Sequence, residues 1–145
     1  MKDPKQKTFF ISSRWRNRDQ VIDLTEKMRE LGLRVLSFLE YHPNREDVLL
    51  DPEKVMKRFE SRFQDDEVVK QLSDLDLEHI RKADVVILLL PAGISAHMEI
   101  GYAYGLGKEC ILIGKPEKTE TTYCMFSKTF TTSKEFIEAL KEAMK

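Results

Sequence analysis

Long apolar runs, an excess of charge of either sign and cysteine are all scarce in this sequence of 145 residues. The longest apolar run, Val85 to Leu90, is far shorter than the roughly 20 residues that a membrane-spanning helix needs. The 24 basic and 25 acidic residues give a net charge of −1, which lacks the positive excess typical of proteins that bind nucleic acids or membrane surfaces. We therefore expect a protein that binds neither nucleic acid nor membrane.

Cysteine and histidine offer no disulfide or metal framework either. The 2 cysteines, Cys110 and Cys124, form no CxxC motif, and the 3 histidines show no metal-ligand spacing. The segment Met1 to Lys7 is polar and charged, unlike a secretory signal peptide. These features predict a cytoplasmic protein with reduced cysteines and no metal site.

The residues that are present fit one globular domain covering residues 1–145. Hydrophobic residues make up 41% of the sequence and charged residues 34%, a balance that supports a packed core beneath a charged surface. A chain of this length buries roughly two-thirds of its unfolded surface, so it needs no disulfide or metal to fold.

The alternation of strand-like and helix-like segments predicts the fold. Thr8 to Ser12 is a short apolar strand, Asn17 to Leu31 has helical spacing, and Val35 to Leu39 is a second strand. The run Val85 to Leu90 is apolar on both faces, as the central strand of a parallel sheet is. We predict a flavodoxin-like α/β sandwich with a five-stranded parallel sheet in the order 2-1-3-4-5 and helices on both faces.

The remaining elements continue this alternation. They are a helix that starts at Ser73 or earlier and ends at Ala83, a helix from Ala96 to Leu106 with Ser95 as its N-cap, a strand from Cys110 to Ile113, a short edge strand within Phe126 to Thr131, and a terminal helix capped by Ser133.

The segment from Tyr41 to Phe63 is the least regular part of the chain. A helix that starts at Pro52 and ends at Phe63 would carry Val55, Phe59 and Phe63 on one stripe. This apolar face exceeds what a small five-stranded sheet needs, so we expect a homo-oligomer in which it meets a partner. The alternative is a lid that folds back over the chain's own site.

The loop from Pro91 to Ser95 is the first candidate site, because ligands bind open α/β sheets beyond the carboxyl ends of the strands. The helix that follows points free backbone N–H groups at this loop, which suits an anion or a sugar, and Gly93 and Ser95 are candidate binding residues. Glu99 lies one turn into the helix. It is either a carboxylate that complements the helix dipole or a functional group held beside the sheet.

The composition of this helix favours a functional role for Glu99. Four small residues leave one side of the helix almost bare, so we expect the helix to approach the sheet closely: Gly101, Ala103, Gly105 and Gly107. Glu99 also shares a helical stripe with Tyr102, Ala103 and Leu106, which would place its carboxylate beside packed groups.

Asp76 has two interpretations that the residues leave open. With Ser73 it fits an S-x-x-D capping box, which is purely structural. It also lies on an apolar stripe, where a carboxylate is costly unless it is paired, with Val69, Leu72, Ile80 and Ala83.

The loop after the first strand is a second candidate site, since it opens at the same edge of the sheet. Ser12, Ser13, Arg16 and Arg18 could hold a phosphate or a ribose there. The alternative is a solvated basic turn with Asn17 as N-cap. The neighbouring tryptophan could stack on a base or cover an edge of the core.

The stretch ADVVILLLPAGISAHMEIGYAYGLGK, residues 83–108, resembles the nucleoside 2-deoxyribosyltransferase-like family, and the resemblance extends over most of the chain. That family has a flavodoxin-like sheet and cleaves N-glycosidic bonds of nucleosides or nucleotides. The resemblance implies that Glu99, in MEIGYA, is the nucleophile. It also implies that Asp76, which lies eight residues before Asp84, is the catalytic aspartate, and that the serine-rich turn after the first strand binds substrate.

The sequence departs from the family pattern at two places. Phe9 and Phe10 stand where many members carry a tyrosine that orients the nucleophile. Gly93 stands where transferases often have a further acidic residue. The resemblance therefore implies glycosidic cleavage more firmly than efficient transfer between bases.

The segment FFISSRWRNRDQVIDLTEKMRELGLRV is similar to the opening of TIR-like domains, of which some cleave NAD and others only bind partners. Three functions follow from the two resemblances. The first is cleavage or transfer at the N-glycosidic bond of a nucleoside or its 5′-monophosphate, through a covalent glutamyl-ribosyl intermediate and without metal or organic cofactor. The others are cleavage of NAD and non-catalytic nucleotide binding by an adaptor module.

Overall fold

The computed structural model describes residues 2–40, Glu53, Lys57 and residues 66–145. The strands within this part of the chain are β1 (Thr8–Ser12), β2 (Arg34–Ser37), β3 (Val85–Leu89), β4 (Glu109–Ile113) and β5 (Lys128–Phe130). The α-helices are α1 (Arg18–Glu30), α2 (Glu67–Lys82), α3 (Ile94–Gly105) and α4 (Ser133–Ala143), with short 3-10 turns at Trp15–Asn17 and Thr121–Met125.

The five strands form one parallel sheet in the order β2-β1-β3-β4-β5, which confirms the predicted topology. β3 is the central strand and all of its residues are buried. Burial on both faces explains why this segment is a continuous apolar run instead of an alternating one.

The helices form a layer on each face of the sheet. The β1–α1–β2 unit moves toward one edge of the sheet and the β3–α3–β4 unit toward the other. Right-handed crossovers that run in opposite directions place α1 and α3 on opposite faces. α1 packs with α4, and α2 packs with α3, which gives the predicted flavodoxin-like sandwich.

β1 contributes side chains to both layers of the core. Phe9, Phe10 and Ile11 are each 0% exposed, and successive residues of a strand point to opposite faces of the sheet. The two phenylalanines are therefore packing residues on either side of the sheet.

α2 begins earlier than a cap at Ser73 would allow. The Asp66 side chain accepts hydrogen bonds from the backbone N–H of Val68 at 2.9 Å and of Val69 at 3.4 Å, so the helix starts at Glu67. Asp76 consequently lies inside the helix. The interpretation of Asp76 as part of a capping box is wrong.

The predicted N-caps of α3 and α4 are also wrong. Gly93 is the N-cap of α3, so Ser95 is an exposed residue of the first helical turn. Thr132 caps α4, because its hydroxyl accepts a hydrogen bond from the backbone N–H of Glu135 at 3.2 Å. In both places a suitable cap stands slightly before the predicted serine, and the helix extends to it.

Of the four small residues predicted to lie against the sheet, Ala103 is buried, whereas the glycines face solvent, so the prediction is wrong for the glycines. Gly101 and Gly105 are exposed, and no atom lies within 4 Å of the position that a Cβ would take. Leu106, which the predicted stripe placed beside Glu99, is 45% exposed. The side of α3 that meets the sheet carries small and branched residues, Ala96, Ile100 and Ala103.

The predicted helix from Pro52 to Phe63 and the oligomer contact based on it lie outside the described residues, apart from Glu53 and Lys57, which are helical.

Cys110 is buried and Cys124 is exposed, and neither is in a disulfide. Across residues 2–40 and 66–145, no helix is both long enough and apolar enough to cross a bilayer.

Candidate active site

Glu99 and Ser12 meet where the carboxyl end of β1 lies beneath α3. The Ser12 hydroxyl donates a hydrogen bond to Glu99 Oε2 at 2.5 Å, and it lies 3.4 Å from the carbonyl oxygen of Ala96. Ser12 is 0% exposed and Glu99 is partly buried. The sheet edge therefore holds the carboxyl group of Glu99 in one orientation, pointing inward.

Asp76 reaches the same carboxyl group from α2. The side chains of Asp76 and Glu99 are hydrogen-bonded to each other, and the Asp76 charge acts directly on Glu99. On α2 the nearest turns on the same stripe carry the buried residues Leu72 and Ile80, so the stripe that contains Asp76 faces the interior. An inward-facing carboxylate needs a polar partner, and the partner of Asp76 is the carboxyl group of Glu99.

This environment changes the protonation of Glu99. Burial away from water, reinforced by the nearby Asp76 charge, raises the pKa of Glu99 from its ordinary value of 4.5 to about 8. The hydrogen bond from Ser12 acts in the opposite direction, because it favours the carboxylate. At neutral pH the two carboxyl groups therefore hold one proton between them.

Such a pair can supply two roles in one reaction. The group that gives up the proton becomes a nucleophile or base, and the group that keeps it can act as a general acid. Two carboxyl groups are also the set that two-step glycoside hydrolysis uses.

Ser13 joins the loop after β1 to the loop after β3. Its hydroxyl donates a hydrogen bond to the carbonyl oxygen of Leu89 at 2.8 Å and accepts one from Asn17 Nδ2 at 3.0 Å. The backbones of the two predicted binding loops are thus held together at the sheet edge, next to Ser12.

The arginines of the first loop differ in their surroundings. Arg16 hydrogen-bonds the Glu53 carboxylate through both Nε and Nη2, and Arg18 lies 3.7 Å from the Asp19 carboxylate. In the described part of the chain, Arg14 Nε is buried without a hydrogen-bond partner. The sequence prediction missed Arg14, although its position directly after Ser13 pointed to it.

Trp15, in the same loop, is part of the core. It is 9% exposed and packs edge-on against Phe38 with the ring centroids 5.6 Å apart. Of the two predicted roles for this tryptophan, the structure supports the covering of a core edge.

A histidine missed by the sequence prediction fixes the start of α3. His97 Nδ1 lies 2.8 Å from the carbonyl oxygen of Gly93, and Nε2 lies 3.0 Å from the hydroxyl of Tyr123. Because a carbonyl can only accept, Nδ1 carries a hydrogen and donates it to Gly93, while Nε2 is paired with the tyrosine hydroxyl. These two hydrogen bonds connect the loop after β3 to the 3-10 turn before β5. Beside them lies a shallow depression of about 480 Å³, lined by Ala92, Gly93, Ile94, His97 and Met98.

No protein-family model matches this sequence, and no curated protein matches it. Among solved structures, the 2-deoxyribosyltransferase of the psychrotolerant bacterium Bacillus psychrosaccharolyticus is 20% identical, with a TM-score of 0.62 over 90% of this chain and 90% of that one. The CMP N-glycosidase of Clostridium botulinum is 19% identical, with a TM-score of 0.56 over 93% of this chain and 99% of that one. These similarities establish the shared fold, and both neighbours are enzymes by name.

The raised pKa of Glu99 predicts how stability changes with pH. A carboxyl group whose pKa is higher in the folded state stabilises the fold fully below its unfolded pKa, and this contribution is lost as pH rises toward the folded value. The Glu99→Gln variant cannot ionise at this position and therefore escapes the loss. We expect its free energy of unfolding, relative to that of the wild type, to be higher at pH 8 than at pH 5 by on the order of 2 kcal/mol. Urea denaturation at both pH values measures this difference.

Glu78→Gln is the matched control, because Glu78 is a carboxylate on α2 whose pKa is lowered by its hydrogen bond with Lys82. That variant should show no gain in relative stability with rising pH. A Glu99→Gln difference that is the same at pH 5 and pH 8 would contradict the raised pKa.

Proposed function

We propose that this chain cleaves or transfers at the N-glycosidic bond of a nucleoside or nucleoside 5′-monophosphate, through a covalent glutamyl-ribosyl intermediate. The observation that carries the proposal is the inward-facing contact of Glu99 with Ser12 and Asp76. The fold neighbours support the substrate class, since one is named a 2-deoxyribosyltransferase and the other a CMP N-glycosidase.

In the first step, the shared proton moves onto Asp76 and leaves Glu99 as a carboxylate. Glu99 attacks the anomeric carbon, and the bond between that carbon and the base nitrogen breaks with its electron pair on the base. Asp76 gives its proton to the departing base. The products are a free base and a ribosyl ester on Glu99.

In the second step, water or a second base attacks the anomeric carbon of the ester. Asp76, now a carboxylate, accepts the proton that the attacking group loses, and Glu99 departs as a carboxylate. The pair again holds one proton, so the site returns to its starting state. The chain's own residues supply both roles, and the proposal needs no metal or organic cofactor.

Ser12 is the positioning residue of this scheme. Its hydrogen bond to Oε2 holds the carboxyl group of Glu99 in one orientation, as a nucleophile requires. In many members of the family that the sequence resembles, a tyrosine on the first strand orients the nucleophile, whereas Phe9 and Phe10 have no hydroxyl group. Ser12 supplies the missing donor from the end of the same strand.

The substrate would lie across the two loops that Ser13 joins. Backbone N–H groups at the start of α3, together with Gly93 and Ser95, would hold the sugar or its phosphate. Arg16, Arg18 and the buried Nε of Arg14 offer positive charge on the other side of the mouth. Hydrolysis is favoured over base transfer because Gly93 provides no carboxylate.

A product screen by liquid chromatography tests this function. Purified protein is incubated with nucleosides, their 5′-monophosphates and NAD, with and without a second free base. We expect release of a base from a nucleoside or its monophosphate. Glu99→Gln should lower turnover by about a thousandfold or more, and Asp76→Asn by about a hundredfold or more.

Matched variants on α2 separate chemistry from folding. Asp74→Asn and Glu78→Gln remove exposed or half-exposed carboxylates close to Asp76 and should keep full turnover. A 2-fluoro sugar analogue followed by mass spectrometry should place the trapped ester on Glu99. Release of nicotinamide from NAD alone would establish the TIR-like alternative, and nucleotide binding without any product would establish the adaptor alternative.

The arginines in the loop after β1 predict that the protein prefers phosphorylated substrates. Arg14→Gln removes a buried cationic donor, so we expect kcat/KM for a nucleoside 5′-monophosphate to fall by about tenfold or more while kcat/KM for the nucleoside changes little. Arg34→Gln is the control, because Arg34 bonds the carbonyl oxygen of Gln6 at the amino end of β2. Equal kcat/KM for the nucleoside and its monophosphate in the wild type would refute a phosphate site here.

A further inference from the structure

Tyr102 on α3 belongs to the core through its ring and to the surface through its hydroxyl group. The ring is partly buried and packs against the hydrophobic core, whereas the hydroxyl accepts a hydrogen bond from Arg81 Nη1 at 3.0 Å. A phenylalanine would fill the same space, so the packing alone does not require the hydroxyl. The contact with Arg81 is therefore the feature that distinguishes a tyrosine at this position.

Arg81 lies in the last turn of α2, and its backbone is held as well as its side chain. Lys108 Nζ donates a hydrogen bond to the carbonyl oxygen of Arg81 at 2.9 Å. This carbonyl is among the last four of α2, which have no partner within the helix, and a cation is favourable there. Arg81 thus connects the end of α2 both to α3 and to the residue before β4.

α2 needs such contacts because little of it is buried. Over its 16 residues, the buried side chains are those of Leu72 and Ile80. The helix also turns Asp76 toward Glu99, and the two carboxyl groups repel each other whenever both are ionised. Contacts elsewhere along the two helices therefore have to keep α2 in place against this repulsion.

α3 is fixed by more contacts than α2. Its inner side packs on the sheet through Ala96, Ile100 and Ala103, and His97 connects its first turn to Tyr123. The separation between the two helices is therefore set by where α2 lies.

The Arg81–Tyr102 bond and the Asp76–Glu99 contact follow the same order along the two helices. Tyr102 lies three residues after Glu99 on α3, and Arg81 lies five residues after Asp76 on α2. Both helices lead from the carboxyl edge of a parallel sheet to its amino edge, so they run in the same direction. The bond thus joins α2 to α3 about one turn beyond the carboxyl pair, on the side away from the mouth of the site.

We propose that Tyr102 and Arg81 are positioning residues, whose hydrogen bond holds α2 at the distance from α3 at which the carboxyl groups of Asp76 and Glu99 touch. Neither residue needs to contact the substrate. In turnover, this role rests on the proposed function, where the bond maintains the geometry for proton transfer between Asp76 and Glu99. The effect of the bond on the carboxyl pair itself does not depend on any substrate.

The titration of the Glu99 carboxyl group in the free protein tests the positioning. Burial, the charge of Asp76 and the hydroxyl of Ser12 act on this group. Tyr102→Phe removes only a hydroxyl from the contact between the helices. We expect the Glu99 carboxyl resonance to titrate at a lower pH in this variant than in the wild type, by part of the shift that Asp76→Asn causes. An unchanged titration in Tyr102→Phe would overturn the proposal.

Two double-mutant cycles identify the route of the effect. Tyr102→Phe should cause no further shift when Asp76→Asn is already present, because the hydroxyl acts through Asp76. It should also cause none when Arg81→Met is present, because methionine is a flexible side chain that offers the hydroxyl no donor. A shift that persists in either background would show that the hydroxyl acts by another route, and the proposal would then be wrong.

Two variants nearby control for general effects on the helices. Tyr104→Phe changes a tyrosine of α3 that is 51% exposed, and Lys82→Gln removes a cation of α2 that pairs with Glu78 on the same helix. Both should leave the Glu99 titration unchanged, and circular dichroism should show the same helix content in every variant. A shift as large in Tyr104→Phe as in Tyr102→Phe would assign the effect to α3 in general and contradict the positioning role.

Kinetics on a substrate from the product screen separate positioning from binding. Tyr102→Phe should lower kcat by about three- to tenfold and leave KM within about twofold of the wild type, because the hydroxyl holds the carboxyl pair and does not bind substrate. A change confined to KM would contradict this role. The titration needs no substrate, so a negative product screen overturns the proposed function, whereas the titration decides the positioning on its own.

Discussion

The contact between the carboxyl groups of Glu99 and Asp76 is the constraint on which the candidate site depends. Two carboxylates that touch in a poorly solvated place cannot both be ionised at neutral pH, since repulsion and loss of water both disfavour the second charge. The fold therefore keeps a proton inside the site, where it reduces stability as pH rises. Carboxyl groups with strongly shifted pKa values cluster at functional sites, and this is the physical ground for proposing a reaction here.

The topology explains why these groups meet. β1 and β3 are neighbours in the sheet, but the connections that leave them run to opposite edges, which opens a crevice at their carboxyl ends. Ser12 ends β1 at this crevice, and α3 begins just beyond β3. Because α2 packs against α3, Asp76 can reach Glu99 from the neighbouring helix.

The two sides of α3 differ in composition and burial. Its inner side, with Ala96 and Ala103, lets the helix approach the sheet so that Glu99 reaches Ser12. Its outer side is apolar and partly bare. The interpretation of the glycines failed because spacing alone shows which residues share a face of a helix and does not show which face is buried.

The sequence was sufficient for the sheet, and it singled out Glu99 and Asp76, which the structure brings into contact and whose catalytic role stays a prediction. Apolar runs define parallel strands strongly. One of the two interpretations of Asp76 placed it on an apolar stripe, where a carboxylate needs a partner, and the structure agrees with that interpretation. Helix caps were less predictable, because Asp66, Gly93 and Thr132 compete with serines nearby. The position of His97 between Gly93 and Tyr123 depends on a contact between segments distant in sequence, for which the sequence carries no local signal.

The most direct test of this account is the titration of the carboxyl group of Glu99 by ¹³C NMR, with its resonance identified by comparison with Glu99→Gln. A proton shared with Asp76 predicts a carboxyl resonance of Glu99 that titrates near pH 8 in the free protein, and at a lower pH in Asp76→Asn. A Glu99 resonance that titrates below about pH 5, as an exposed glutamate does, would contradict the shared proton and the mechanism built on it.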